Sequence, residues 1–180
     1  MLLVSAAFPP HAIVGATRWE QFSARLVRDG WGVDVVCEQD LRNTALDWSR
    51  ARALPPGIRV YGMQPGEPAV QRAYISIRRA TTRDHALRGA TMEVNSAHAA
   101  PSRGADIRAR YLGWLAQARG TRWVRAAIET AAHCVADAPQ LVVSSGPPHV
   151  AHLAGRAIAR TRGVPHVIDM RDPWASDLSR

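Results

Sequence analysis

The chain contains no lysine, because all 23 of its basic residues are arginine. Sites that require a lysine amine, such as a Walker A loop or a Schiff-base centre, are therefore excluded. Cysteine is scarce as well: the 180 residues include only Cys37 and Cys134, each inside an apolar run. Two separated cysteines in such surroundings favour reduced, buried thiols over a disulfide framework or a metal site, which indicates a cytoplasmic protein.

Long apolar runs are missing too. No run approaches the roughly 20 residues that a membrane-spanning helix requires. The N-terminal MLLVSAAFPPHAIVGA lacks a basic leading segment and is interrupted by Pro9 and Pro10, so we interpret it as a strand and a loop rather than a signal peptide. The sequence contains no G-x-S-x-G, H-E-x-x-H or cysteine cluster, and hydrolase and zinc-site interpretations have no support.

The composition is that of a globular protein with an uneven charge. Hydrophobic residues make up 47% and charged residues 21% of the 180, which suits one domain over residues 1–180. The formal net charge of +8 lies in residues 71–125, where eleven arginines face three acidic residues. This segment, including Arg72, Arg78 and Arg88, is either a solvated helix face or a contact with anionic lipid. Nucleic-acid binding is not expected, since no recognised motif accompanies the charge.

Short apolar runs alternate with amphipathic segments along the first third of the chain. MLLVSAA predicts a buried strand from residue 2, GVDVVCE a second strand and IRVYGM a third, shorter one. Between the first two, GATRWEQFSARLVRDG predicts a helix that ends at Gly30 as a left-handed cap. Four residues of this helix have the spacing of an inner face: Trp19, Phe22, Leu26 and Val27.

The rest of the sequence predicts a largely helical middle part, followed by a strand, a helix and a strand. PAVQRAYISIRRATTRDHALRG indicates a helix and MEVNSAHAAPSRGAD a loop, while residues 106–137 form either two helices or one that is broken near Gly120. QLVVSS and PHVIDM are strands that flank the helix HVAHLAGRAIARTRG, which Gly163 caps. Its inner face is predicted as Val150, Leu153, Ala154, Ala157 and Ile158.

This alternation predicts the fold class. Strands joined by helices form right-handed crossovers and a parallel sheet, so we expect an α/β, Rossmann-like three-layer domain with strand order 3-2-1-4-5. Ligands of such sheets bind beyond the carboxyl ends of the strands, where the order reverses. Three loops follow strands there: FPPHAIVGATR, SSGPPH and RDPW.

Residues of these loops have alternative roles. Gly15 either admits a phosphate to the backbone or only permits the turn, and Arg18 either holds a diphosphate or is solvated. Asp169 and Asp172 flank Arg171, which indicates either an internal ion pair or a substrate contact. Trp174 either caps the core edge, which we favour, or stacks on a sugar.

His149 and His152 are spaced by three residues on the predicted helix and have Asp172 as a possible third ligand. A metal site here is the less favoured alternative, because an isolated pair lacks a complete ligand set. We expect two separate, solvated histidines and no metal or other cofactor.

The two ends of the chain resemble a known family. FPPHAIVGATRWEQFSARLVRDGWGVDVV resembles the opening of bacterial family 4 glycosyltransferases, and SSGPPHVAHLAGRAIARTRGVPHVIDMRDPW resembles the segment that closes their N-terminal domain. The resemblance covers about 40 residues at each end and implies the GT-B fold, in which two Rossmann-like domains face a cleft. It also implies metal-independent, retaining transfer of a sugar from a nucleotide-sugar to a glycan or lipid-linked acceptor in surface-polysaccharide synthesis.

The resemblance assigns roles to particular residues. It implies that Gly15 and Arg18 face the donor diphosphate, whereas His11, His149, Arg171 and Asp172 line the acceptor side, and it names no catalytic residue. Because the family's nucleotide-binding domain follows this segment, we expect residues 1–180 to be the N-terminal, acceptor-side domain of a longer enzyme. Such a part alone is expected to be inactive, and peripheral at the inner face of the plasma membrane.

Two other functions remain open at this point. One is a non-catalytic Rossmann-like binding module or remnant that binds an anionic ligand or partner. The other is half of a sugar-nucleotide epimerase of the same architecture, which the RDPW segment disfavours.

Overall fold

The computed structural model of the protein describes residues 1–39, 45–66, 103–135 and 137–171. Strands and helices alternate through these ranges as the apolar pattern predicts. In chain order the elements are β1 (Leu2–Ser5), α1 (Val14–Arg28), β2 (Val33–Glu38), α2 (Trp48–Arg52), β3 (Ile58–Met63), α3 (Arg103–Cys134), β4 (Val142–Ser145), α4 (Val150–Arg162) and β5 (His166–Asp169).

The five strands form one parallel sheet in the order β3-β2-β1-β4-β5, so the predicted α/β Rossmann-like class and strand order are confirmed. In the register of the sheet, Leu3 of β1 lies between Val35 of β2 and Val143 of β4. All four residues of β1 are buried. Burial of both faces is what a central parallel strand requires, and it explains why the strand is apolar up to its last residue, Ser5.

Each face of the sheet has its own apolar core, supplied by alternate residues of the strands. On one face, Trp19 of α1 belongs to a buried cluster with Leu3, Val35 and Val143. On the other face, α3 and α4 pack against strand residues of the opposite parity. That second cluster includes Leu2, Val4, Val36, Val142, Trp123, Ala127, Ala131, Ala154 and Ile158.

Glycine ends both of the helices that flank the central strands. Gly30, two residues after α1, has φ 88°, and Gly163 has φ 66° at the C-cap of α4. The left-handed conformation is costly for residues with a Cβ atom, so glycine is favoured at both positions. The two predicted caps are therefore confirmed.

Two large residues that were predicted for inner helix faces lie outside. Phe22 of α1 and Leu153 of α4 are each 50% exposed. The buried positions of these helices hold mostly small residues, among them Gly15, Ala16 and Ser23 in α1 and Ala151, Ala154 and Gly155 in α4. Small residues allow the helices to approach the sheet closely. The spacing of apolar residues alone did not reveal that small side chains occupy these buried positions.

Three further expectations about element bounds were wrong. α3 continues through Gly120 as one helix. A single internal glycine destabilises a helix by only about 1 kcal/mol relative to alanine, and the other residues of a long helix can offset that cost. The same helix begins at Arg103, inside the segment predicted as a loop. β3 has six residues and is as long as β2 rather than shorter.

The chain divides into two compact units, one of Met1–Pro65 and Thr121–Arg180, the other of Gly66–Gly120. The first unit contains the whole sheet. The helix predicted over residues 68–89, with Arg72, Arg78 and Arg88, lies outside the described residues. Among the described residues, no helix combines the length and apolar character that crossing a membrane requires.

Candidate functional site

The carboxyl ends of three neighbouring strands carry polar side chains. β1 ends at Ser5, β4 at Ser145 and β5 at Asp169. The connections from β1 and β4 lead to opposite sides of the sheet, because β2 and β5 lie on opposite sides of the β1–β4 pair. This reversal opens a crevice between the two loops, which is where open α/β sheets bind ligands.

Asp169 accepts three side-chain hydrogen bonds at this edge. Its Oδ1 accepts a hydrogen bond from Arg18 Nη2 at 2.9 Å. Its Oδ2 accepts two more, from Trp19 Nε1 at 3.0 Å and from Ser145 Oγ at 2.8 Å. These four residues, the Asp169 network, tie α1 to the ends of β4 and β5. Asp169 therefore has a different ion-pair partner from Arg171, the neighbour that the sequence suggested.

Arg18 is held by charge on one side and by an aromatic ring on the other. Its side chain is 44% exposed, and its guanidinium carbon lies 5.6 Å from the centroid of the Phe22 ring. An ion pair this exposed contributes at most about 1 kcal/mol, so an incoming anion can share the guanidinium with Asp169. Arg18 is thus exposed to solvent and also paired with Asp169, and its predicted contact with a diphosphate stays a prediction.

Gly15 lies directly beneath the guanidinium of Arg171. A Cβ atom at position 15 would collide with Nη1 of that arginine, so the absence of a side chain permits the approach. Gly15 is the second residue of α1, whose N-cap is Ile13, a residue with no side-chain acceptor for the first helical N–H groups. The first turn of α1 contains no acidic residue.

This arrangement concentrates positive charge. The start of a helix carries a partial positive charge, and here a guanidinium lies against it. Among the described residues no carboxylate lies within ion-pair distance of Arg171. The structure thus brings Arg171, assigned to the acceptor side by resemblance, to Gly15, assigned to the donor side. Asp172 and Trp174 lie outside the described residues.

The β4–α4 loop contributes His149, and the first turn of α4 contributes His152. The two rings are stacked with centroids 5.6 Å apart. His149 is the N-cap residue of α4 and partly buried, whereas His152 is only 3% exposed. A Cβ atom on Gly146 would lie 2.8 Å from His149 Nδ1 and from His152 Nε2. The expectation of two solvated histidines is therefore wrong for His152.

His152 has a partner that the sequence did not suggest. Its Nδ1 lies 2.8 Å from the hydroxyl of Ser144, which also lies 2.8 Å from Nε2 of His166. Burial lowers the pKa of His152, and the adjacent His149 lowers it further. Burial also lowers the pKa of His166, with a smaller contribution from Arg156.

His11, the remaining predicted acceptor residue, is 5% exposed. Its Nδ1 lies 3.0 Å from the carbonyl oxygen of Phe8, and its backbone pairs with Leu46 in an isolated antiparallel bridge. Both contacts shape the loop after β1. A direct contact with an acceptor stays a prediction for this residue.

No group of three or more histidine, cysteine, aspartate or glutamate residues in the described part of the chain is arranged to hold a metal ion. The predicted absence of a metal cofactor is not tested by this observation. It does not test the alternative that joined His149 and His152 with Asp172 either, because Asp172 lies outside the described residues.

Sequence reasoning missed the importance of Asp169 and Ser145. One signal could have found them, since each is a polar residue that ends a strand at the ligand-binding edge. The role of Ser144 had no comparable signal. Its two histidine partners lie 8 and 22 residues away in the sequence.

The chain has no significant match among protein-family models, curated proteins or solved structures.

Proposed function

We propose that this chain is the acceptor-side Rossmann-like domain of a family 4 glycosyltransferase. In this proposal it acts with a second domain that binds a nucleotide-sugar, and the sugar is transferred with retention to a glycan or lipid-linked acceptor. The reaction serves surface-polysaccharide synthesis at the inner face of the plasma membrane. The motifs at the two ends of the chain suggest the family, and the site supports the proposal through its charge.

The observation that carries the proposal is the position of Arg171 over Gly15, at the start of α1. A diphosphate needs hydrogen-bond donors and positive charge. Gly15 leaves the space that the Arg171 guanidinium occupies, the first turn of α1 supplies N–H groups, and Arg18, three residues after Gly15, supplies a second guanidinium. The site lies at the strand-order reversal, where the fold favours ligand binding.

The acceptor would approach from the β4–α4 loop in this proposal. His149 lies at the start of α4, where its ring is partly buried against that of His152. A neutral imidazole can donate to or accept from a sugar hydroxyl. His149 is thus proposed as an acceptor-binding residue, with Asp172 and His11 as further members that the resemblance suggests.

The test is a titration of the isotope-labelled chain, followed by NMR, with a panel of nucleotide-sugars and a short polyprenyl-diphosphate sugar. We expect chemical-shift changes confined to residues 11–18, 144–149 and 169–171. Arg171→Ala should weaken the binding of the diphosphate-containing ligand about tenfold, the effect of losing one charge-assisted hydrogen bond of about 1.4 kcal/mol. Gly15→Ala should weaken it as well, by displacing the guanidinium.

Arg160→Ala is the matched control, because Arg160 lies in the last turn of α4, at the opposite edge of the sheet. It removes the same charge and should leave the affinity within about twofold. Equal weakening by Arg160→Ala and Arg171→Ala would show that net charge alone attracts the ligand, and would contradict the proposed site. Shifts with simple diphosphate but with no sugar-containing ligand would favour the binding-module alternative.

A further inference from the structure

One serine hydroxyl lies between two histidine rings from different elements. Ser144 Oγ of β4 is 2.8 Å from Nδ1 of His152 in α4 and 2.8 Å from Nε2 of His166 in β5. Ser144 is completely buried and His152 is 3% exposed. We call these three residues the Ser144 cluster. Its two side-chain contacts join α4 to β4 and β4 to β5.

The arrangement of protons in the Ser144 cluster is restricted by the single hydrogen of the hydroxyl. With both rings neutral, one ring nitrogen can donate to Oγ while the hydroxyl donates to the bare nitrogen of the other ring. If both facing nitrogens carry protons, both donate to Oγ and the hydroxyl hydrogen loses its acceptor. A buried donor without an acceptor destabilises the folded state, so the cluster tolerates one facing N–H but not two.

The charged and titratable groups around the cluster lower the pKa values of His152 and His166, with one exception. On α4, the stacked ring of His149 disfavours a positive charge on His152, and Arg156 disfavours one on His166. On β5, Asp169 favours the charge on His152, but this effect is smaller than that of burial. The pKa of both histidines is consequently lowered.

Close packing leaves the cluster little room to rearrange. A Cβ atom on Gly155 would lie 2.7 Å from His166 Nε2 and 2.8 Å from the Ser144 Cβ. The helix therefore approaches both strands where its glycine allows it. Because these atoms are in close contact, we expect a second positive charge to be accommodated by movement of α4 or β5.

We propose that the Ser144 cluster is an acid-sensitive contact that holds α4 and β5 against β4. The contact is stable when the two imidazoles are neutral and weakens when both take up protons. The consequence for the site follows from the position of Asp169 at the end of β5. Loosening of β5 withdraws the carboxylate from Arg18 and Trp19. Mild acidification is therefore expected to disorganise the carboxyl edge of the sheet before the rest of the domain unfolds.

The direction of the pH effect follows from the lowered pKa values. An unfolded histidine takes up its proton at about pH 6.5, whereas the folded cluster resists protonation until the pH is lower. The stabilising contribution is thus present above about pH 6.5 and is lost as the pH falls toward the folded-state pKa values. Over that interval the equilibrium constant for unfolding should rise by up to about tenfold per pH unit for each proton taken up.

The first experiment measures urea unfolding of the full chain between pH 7.5 and pH 5, followed by circular dichroism. His152→Gln and His166→Gln should each lower stability at pH 7.5 but flatten its dependence on pH, because each removes a titrating ring. His133→Gln is the matched control, since His133 is an exposed histidine of α3. It should keep the profile of the unaltered chain. Cluster variants that keep that profile would overturn the proposal.

A second measurement does not depend on whether the variants fold. Imidazole resonances of the unaltered protein, followed by NMR over the same pH range, should show His152 and His166 titrating below pH 6.5. Amide shifts at 144–145 and 166–169 should change with the same midpoints. Titration of both rings near pH 6.5, or titration without any shift in β4 and β5, would equally overturn the proposal.

Discussion

Replacement of Asp169 separates the two kinds of interaction that this residue makes. In Asp169→Asn the amide oxygen can take the place of Oδ2 and still accept hydrogen bonds from Trp19 and Ser145. Its NH2 group then faces Arg18, so only the ion pair is lost. Because the side chain of Arg18 is 44% exposed, we expect a loss of about 0.5–1 kcal/mol in the free energy of unfolding.

Asp169→Ala removes all three interactions. Trp19 Nε1 and Ser145 Oγ lose their acceptor in a partly buried place, and each loss costs about 1 kcal/mol or somewhat more. Together with the ion pair, the expected loss is about 2–4 kcal/mol. The alanine variant should thus be clearly less stable than the asparagine variant.

The assay is urea unfolding at pH 7.5, with the change in midpoint and slope measured for both variants. Asp137→Asn is the control, because Asp137 also pairs with an arginine, Arg59, but its side chain is 76% exposed. We expect that control to change stability by less than about 0.5 kcal/mol. Equal losses for the two Asp169 variants would refute the assignment of most of the stabilisation to Trp19 and Ser145. A loss no greater than that of Asp137→Asn would refute a stabilising Asp169 network altogether.

Two further predictions concern the end of α4 and the buried thiol. Gly163→Ala should cost about 1 kcal/mol, because its φ of 66° is unfavourable for alanine although no atom lies within 4 Å of the added Cβ. Gly113→Ala, also uncrowded but inside α3, should instead stabilise the chain, and thermal unfolding that ranks the two variants the other way would contradict this reasoning. Burial raises the pKa of Cys37 to about 12, and the residue is 3% exposed, so iodoacetamide at pH 8 should modify it only after addition of urea. Mass spectrometry of the Cys37 peptide checks this, and rapid labelling of the folded chain would show that the thiol is accessible.

Local pattern was sufficient for most of the elements and for their order. The apolar run at residues 2–5 predicted β1, and Gly30 and Gly163 predicted where two helices end. These features depend on residues that are close to one another in the sequence, so local sequence is enough to predict them. The strand order needed two general rules in addition, the right-handedness of crossovers between parallel strands and the doubly wound arrangement of Rossmann-like sheets.

Local pattern was not sufficient for the inner faces of the helices. Spacing correctly identified Trp19 and Ile158 as buried, but it also placed Phe22 and Leu153 inside. Periodicity predicts which residues share a face, whereas the distance between helix and sheet decides which sizes fit there. That distance is set by small residues such as Ala16 and Gly155, together with the strands beneath them.

The sequence by itself determined the parallel sheet, the reversal of strand order between β1 and β4, and the edge of the sheet at which the loops after β1, β4 and β5 begin. Only the tertiary structure decided which side chains meet there. Arg18 and Asp169 are 151 residues apart, whereas the sequence offered only the adjacent Arg171 or a substrate as partners for Asp169. Ser144 likewise meets histidines from two other elements. The physical reason is that a side chain's partner depends on how the elements pack in three dimensions, to which residues far apart in the sequence contribute jointly.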